Sequence, residues 1–116
     1  MDLKASRQAV LDALEPVELA GKKLRAVTKL EDVNPPCVYV ALESIDHYNF
    51  GGEIVWRLYL VAPNTDEDRA VTQLQDLLEA VLPVVSPAAP TEYVGLPTPE
   101  QSQPLPALLV RISHTV

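Results

Sequence analysis

Proline dominates the last third of this chain and limits what it can fold into. Of the eleven prolines in the 116 residues, seven fall between positions 83 and 106. Because each proline fixes its own φ angle and lacks a backbone N–H donor, no long helix can form in this stretch. We therefore expect a proline-rich loop at 83–106, containing extended segments, within a domain that spans residues 1–116.

Length and composition exclude several classes of protein. A chain of 116 residues has the usual size of a single core. Its formal charge of −7 argues against a surface that grips nucleic acid. The lone Cys37 can form no internal disulfide and has no cysteine partner for a zinc site. The first residues lack a signal-peptide pattern, and no apolar run reaches the roughly 20 residues that span a bilayer. We expect a soluble protein of a reducing compartment.

Two segments have the apolar spacing of amphipathic helices. In residues 2–14, Val10 and Leu14 share one apolar face, and Pro16 ends the pattern. In residues 66–82 the apolar side chains recur at helical intervals until Pro83. These side chains are Ala70, Val71, Leu74, Leu77, Leu78 and Val81. Thr65 and Asp68 fit a helix-capping pair, so the sequence predicts a helix that begins near residue 66.

Alternation of apolar and polar residues predicts the strands. The clearest strand is Glu53 to Ala62. One of its faces is uniformly apolar (Ile54, Trp56, Leu58, Leu60), whereas the other is mixed (Val55, Arg57, Tyr59, Val61). Further strands are predicted at 24–30 (an edge strand), 37–42, 91–96 with Gly95 as a bulge or bend, and 105–114. Hairpin-joined strands with two helices on one face predict an α+β two-layer sandwich with an antiparallel or mixed sheet.

The segment between the strands predicted at 37–42 and 53–62 is a candidate contact surface. Residues 43–52 are predicted to form a long hairpin loop whose aromatic side chains are poorly placed for a core. Tyrosine and phenylalanine are enriched at protein interfaces. The mixed face of the strand from Glu53 to Ala62 adds apolar surface. This surface either stays partly exposed to solvent or is covered by a neighbouring subunit. Six residues are therefore the candidate subunit or partner interface: Asp46, His47, Tyr48, Phe50, Arg57 and Tyr59.

Residues with the spacing of an active site are scarce. His47 and His114 lack the close ligand spacing of a metal site, and Cys37 opens an apolar strand as a small buried hydrophobe. The acidic residues 66–68 suit a helix N-terminus better than a metal cluster. The one local cluster that an enzyme hypothesis could use is His47 with Glu43 or Asp46. We expect no enzymatic activity, no catalytic or metal-binding residues and no cofactor.

The order of elements resembles a known family. A short N-terminal helix precedes a strand that begins after prolines, Pro35-Pro36-Cys37-Val38-Tyr39-Val40. A second strand ends Leu58-Tyr59-Leu60-Val61-Ala62-Pro63, and a polar cap and a helix follow it. Together with the closing β segment, this pattern resembles the tail terminator proteins of long-tailed bacteriophages, the lambda-type minor tail proteins. The resemblance covers nearly the whole chain through element order and size.

The resemblance implies a structural virion protein. Members of that family form a hexameric ring that caps the tail tube, stops its polymerisation and offers a head–tail joining surface. The implied partners are further copies of the chain, the major tail tube protein and head-completion proteins in the neck of the virion, after assembly in the host cytoplasm. Genomic DNA would pass through the lumen without specific binding. Six copies would carry a formal charge of about −42, and a negative lumen would repel DNA phosphates.

Other functions stay open. A head-completion or tail-completion neck protein has similar size and differs in the partner that it binds. A small ligand-binding or regulatory α+β domain would need a pocket with convergent polar groups, whereas the strand faces here offer mainly valine, leucine and isoleucine. Loop and edge contacts are expected from 43–52 and from 83–106.

Overall fold

The computed structural model describes residues 2–48, 51–63 and 66–115, without the side chain of Tyr48. Within these residues there are two α-helices, α1 (Leu3–Leu14) and α2 (Glu67–Val81). The strands are β1 (Glu18–Leu19), β2 (Lys22–Lys23), β3 (Arg25–Val27), β4 (Cys37–Tyr48), β5 (Gly51–Val61), β6 (Glu92–Leu96) and β7 (Leu105–Thr115). Short 3-10 turns occupy Leu30–Asp32 and Leu82–Val84.

Five of the strands form one mixed sheet in the order β3-β4-β5-β7-β6. β3 runs parallel to β4, and the other neighbours are antiparallel. β1 and β2 form a separate small hairpin, in which Ala20 and Gly21 both have positive φ, as a type I′ turn requires. The predicted α+β sandwich with a mixed sheet is confirmed.

Both helices pack on one face of the sheet, which we call the helix face. The apolar side of β5 supplies Ile54, Trp56, Leu58 and Leu60, each at most 4% exposed. Val10 and Leu14 of α1 and Leu74 and Leu77 of α2 join the same buried cluster. Val71, which the helical spacing placed with this group, is instead 54% exposed, so the apolar stripe of α2 is narrower than predicted.

Aspartate side chains cap both helices. The Asp2 carboxylate accepts a hydrogen bond from the backbone N–H of Ala5 at 3.0 Å. The Asp66 carboxylate accepts one from the backbone N–H of Asp68 at 3.1 Å. Each cap satisfies a backbone donor that the first helical turn leaves unpaired. The predicted capping residue Thr65 lies outside the described residues.

The hairpin loop predicted at 43–52 is wrong. β4 continues to Tyr48, β5 begins at Gly51, and the register between them runs through Tyr48 opposite Gly51. A bulge between Leu42 and Ser44 interrupts the ladder at Glu43. The polar side chains that suggested a loop belong to a strand that is held by its ladder with β5 along one edge and therefore needs no apolar face in its exposed part.

Two smaller predictions also need correction. The edge strand predicted at 24–30 covers only Arg25–Val27, and the chain then turns at Leu30–Asp32. Gly95 is not a bulge, since it pairs in regular register with Pro106. Its lack of a side chain serves close packing instead, because a Cβ at this position would lie 2.9 Å from Cβ of Pro104.

A buried polar chain ties α1 to the sheet. The indole N–H of Trp56 on β5 donates to Oγ of Ser6 on α1 at 2.8 Å. The same oxygen lies 2.8 Å from Nδ1 of His114 on β7. Ser6 is only 7% exposed, so water cannot readily replace it as a partner. These two contacts link α1 to β5 and to β7.

Replacing Ser6 by alanine should destabilise the fold. Ser6→Ala would leave a buried indole donor without an acceptor, a loss of about 1–3 kcal/mol in the free energy of unfolding. Urea unfolding followed by circular dichroism measures this loss. Ser86→Ala, which removes an exposed hydroxyl, is the matched control and should change little. Equal stabilities for the two variants would contradict the structural role given to Ser6.

Candidate functional site

The side of the sheet opposite the helices is here called the open face. It carries the residues of β5 that alternate with its apolar set, from Glu53 through Val55, Arg57 and Tyr59 to Val61. The registers add their partners on the neighbouring strands. β4 contributes Tyr39, Ala41, Ser44 and Asp46, and β7 contributes Leu109, Arg111 and Ser113. Neither α-helix packs on this face, so its exposed side chains are the candidates for contact with a partner.

One end of the open face is covered by the chain itself. A second buried cluster forms there from Cys37, Val61, Leu96, Leu105 and Ala107. Leu30 and Val33, from the segment between β3 and β4, pack against it. Val61 is therefore fully buried, and the expectation that it adds exposed apolar surface beside Val55 and Tyr59 is wrong. The uncovered part of the face begins at the two tyrosines.

The middle of the open face combines aromatic rings with a guanidinium group. The rings of Tyr39 and Tyr59 stack with centroids 5.7 Å apart and planes at 20°. The guanidinium carbon of Arg57 lies 5.6 Å from the ring centre of Tyr59, a cation–π distance. Nε of Arg57 is buried and has no hydrogen-bond partner among the described residues. An unpaired buried donor costs stability in the isolated subunit. A contact that supplies an acceptor to Arg57 would therefore be stabilising.

A second arginine on this face is paired on both sides. Nε of Arg111 donates a hydrogen bond to Glu43 at 2.7 Å, and its Nη1 forms an ion pair with Glu92 at 3.3 Å. The hydrogen bond to Glu43 is the main cause that raises the pKa of Arg111. The network links side chains of β4, β7 and β6 across β5. The bulge in β4 is what turns Glu43 towards this network.

The far end of the open face is acidic. Asp46 on β4 lies directly opposite Glu53 on β5. Like charges in directly opposite positions destabilise a strand pair. Arg57 and Arg111 are likewise opposite each other, but there Glu43 and Glu92 compensate one of the two charges. The face thus has a partly compensated cationic centre beside an acidic end.

The structure brings together three of the six predicted interface residues. Asp46, Arg57 and Tyr59 share the open face. His47 is exposed and lies opposite Gly52, so it projects to the other side of the sheet. Tyr48 ends β4, where only its backbone is described, and Phe50 lies outside the described residues.

Glu92 and Arg111 are open-face residues that the sequence analysis did not identify, and Glu43 was considered there only as a neighbour of His47 and as part of the expected 43–52 loop. A signal for Arg111 was present, because it interrupts an apolar run that begins at Leu105. The two glutamates carry no such signal, since they lie 68 and 19 positions away from Arg111 in the sequence.

The titratable groups form no catalytic or metal constellation within the described ranges. No group of three histidine, cysteine or carboxylate side chains there could hold a metal ion. Asp46 and His47 are consecutive strand residues, so their side chains diverge to opposite faces. Cys37 is 1% exposed, and burial raises the pKa of its thiol against the opposing effects of a backbone hydrogen bond at Asn34 and the charge of Arg25. Among the helices described, none is long and apolar enough to cross a bilayer.

Comparison with known proteins gives no family assignment. No protein-family model matches this sequence. A search of curated proteins likewise returns no significant match. The geometry of the open face therefore carries the functional argument.

Methionine substitutions at the two arginines should have opposite effects on the isolated subunit. Arg57→Met keeps an apolar stem and removes the unpaired donor. We expect a gain of about 1 kcal/mol in the free energy of unfolding after the lost cation–π contact is subtracted. Arg111→Met is the matched control and should destabilise, because it breaks both carboxylate contacts. Urea unfolding at low protein concentration measures both, and equal destabilisation would contradict the difference drawn between the two residues.

Proposed function

We propose that this chain is a structural virion protein of the tail terminator kind. Copies of it form a ring, hexameric by the resemblance of its element order, that caps the tail tube, stops tube growth and presents a joining surface to neck proteins. The observation that carries the proposal is the two-sided sheet, with helices on one face and a charged, partly uncovered opposite face. Catalysis forms no part of this function.

The layering supports a ring with a defined inside. When copies of such a two-sided sheet are arranged around an axis, one side of every copy faces the lumen and the other side faces outward. The helix layer exposes mainly polar side chains, as the outside of an assembly requires. The open face, with its stacked tyrosines and charged groups, is then the side that lines the lumen.

The charges of the open face support passage of DNA without retention. Glu43, Asp46, Glu53 and Glu92 face Arg57 and Arg111, so four carboxylates against two guanidinium groups leave two net negative charges per copy. Affinity for DNA depends on clustered cations that release counterions from phosphates. A lumen with this net negative charge repels the duplex. The carboxylates next to Arg111 reduce the attraction between its guanidinium group and DNA phosphates.

Tube capping tests the proposed function directly. Tail tube subunits from the same phage, polymerised in the presence of increasing amounts of this protein, should give shorter tubes with a ring at one end. Negative-stain electron microscopy measures tube length and shows the ring. Unchanged tube lengths at saturating protein would overturn the terminator function. Binding to a portal-side adaptor without any effect on tubes would assign the chain to the head-completion class instead.

Reversing the acidic end of the open face should make the ring retain DNA. Asp46→Lys/Glu53→Lys changes the open face from two net negative to two net positive charges per copy. Binding of a duplex oligonucleotide, followed by fluorescence anisotropy at low salt, should rise at least 10-fold and should weaken steeply as salt is added.

The control for this variant has the same net charge on the helix layer. Asp76→Lys/Glu79→Lys alters two exposed residues of α2 and changes the total charge equally. It should bind DNA less tightly than the open-face variant. Equal binding by the two variants would show that total charge, and not a lumenal position of the open face, governs contact with DNA.

A further inference from the structure

The sheet has a free edge on each side. β3 pairs only with Cys37–Tyr39 of β4, so residues 40–48 of β4 have no strand partner on that side among the described residues. At the other side β6 is the last strand, and its outer edge is also unpaired within the described chain. Unpaired strand edges present rows of N–H and C=O groups that can accept a further strand.

A groove marks the place on β4 where such a strand would lie. Its volume is about 590 Å³, and it begins beside Thr28, where β3 ends. α1 contributes Leu3, Lys4 and Arg7 to its wall, and the sheet contributes Leu42 and Trp56 on the helix face and Ala41 and Arg57 on the open face. The groove therefore follows the free edge of β4 and is lined from both faces of the sheet. Its lining combines apolar side chains with three cations, Lys4, Arg7 and Arg57.

Each edge carries an exposed apolar side chain on the helix face. Leu42 of β4 is 39% exposed, and Tyr93 of β6 is 56% exposed. Their registers place them opposite Trp56 and Leu108, so both lie on the side of the helices although neither helix buries them. These are two of the four large apolar side chains that the described chain leaves exposed.

We infer that β6 of one copy adds to the free edge of β4 in a second copy of the chain. Tyr93 then enters the groove between α1 and Leu42, and Glu92 lies on the open face towards Arg57. This inference rests on the proposed ring and names the contact that builds it. The contact is head-to-tail, and such contacts close into rings when their rotation permits.

Strand directions agree with this contact. β4 and β7 run one way, while β5 and β6 run the other way. Copies related by rotation about an axis near the strand direction therefore place β6 antiparallel to β4 of the neighbour. β6 stands level with the β3-paired part of β4 and must shift along the edge to reach residues beyond Tyr39. Closed barrels contain such a stagger between neighbouring strands.

Charges select a second copy as the occupant. The groove offers Lys4, Arg7 and Arg57, and Arg57 has a buried donor without a partner in the described chain. The incoming edge offers Glu92, whose side chain is 54% exposed although it contacts Arg111. Glu92 can therefore face a further cation. Opposite charges across the joint favour this register over one that pairs two β4 edges, which would bring Asp46 and Glu43 of both copies together.

Complementation between two blocked variants tests the contact. Leu42→Lys should block the groove and leave β6 intact, whereas Tyr93→Asp should block β6 and leave the groove intact. Each variant alone should remain monomeric, with self-association weakened roughly 30-fold or more. An equimolar mixture retains one working joint per pair and should give a 1:1 heterodimer that grows no further. Native mass spectrometry resolves the two masses and their stoichiometry.

The controls separate this contact from the proposed function. Val71→Asp replaces an exposed apolar residue of α2 away from both edges and should assemble as the parent does. Self-assembly of either blocked variant, absence of the heterodimer, or a parent chain that stays monomeric at all concentrations would each overturn the edge contact. Tube capping by the parent would still support the terminator function in those cases. A heterodimer together with a failure to cap tubes would retain the contact and remove the terminator assignment.

Discussion

The pairing of β5 with β4 and β7 is the constraint on which the rest of this structure depends. β5 is hydrogen-bonded on both edges over nearly its whole length, and the register alternates its side chains without interruption. Its helix-face residues form the floor on which both helices pack, and each fully buried aliphatic side chain contributes about 1.5–3 kcal/mol. A shift of one residue would exchange this floor for Arg57 and Glu53, so the core and the open face are fixed together.

The same register explains why the charged groups occupy one surface. Once Trp56 and Leu58 face the helices, Arg57 must face away from them, next to Arg111 on β7. Two adjacent arginines repel each other, and Glu43 and Glu92 compensate the charge of Arg111. Arg57 is left with a tyrosine ring on one side and an unsatisfied donor. The composition of the open face is thus a consequence of how the core is built.

Much of the fold follows from the sequence because its signals are local. The period-two pattern of β5 and the helical spacing of α2 both depend on residues within one element, and both were predicted. The extension of β4 through Asp46 and His47 was missed because a strand with both faces in water has no apolar alternation to detect. The Arg111 network was missed for a different reason. Its carboxylates come from β4 and β6, and only the strand order brings them together.

Several features that cost the isolated subunit stability or solubility lie on the edges and the open face. Arg57 has an unpaired donor, Asp46 lies opposite Glu53, and Leu42 and Tyr93 stand exposed at the two edges. The helix layer carries costs of its own, since Val71 and Leu82 are exposed and Oε1 of Gln73 is buried without a hydrogen-bond partner among the described residues. A contact that joins the edges would bury Leu42 and Tyr93 and give Arg57 an acidic neighbour. The costs at these three residues therefore coincide with the surfaces through which the proposed contact would join two copies.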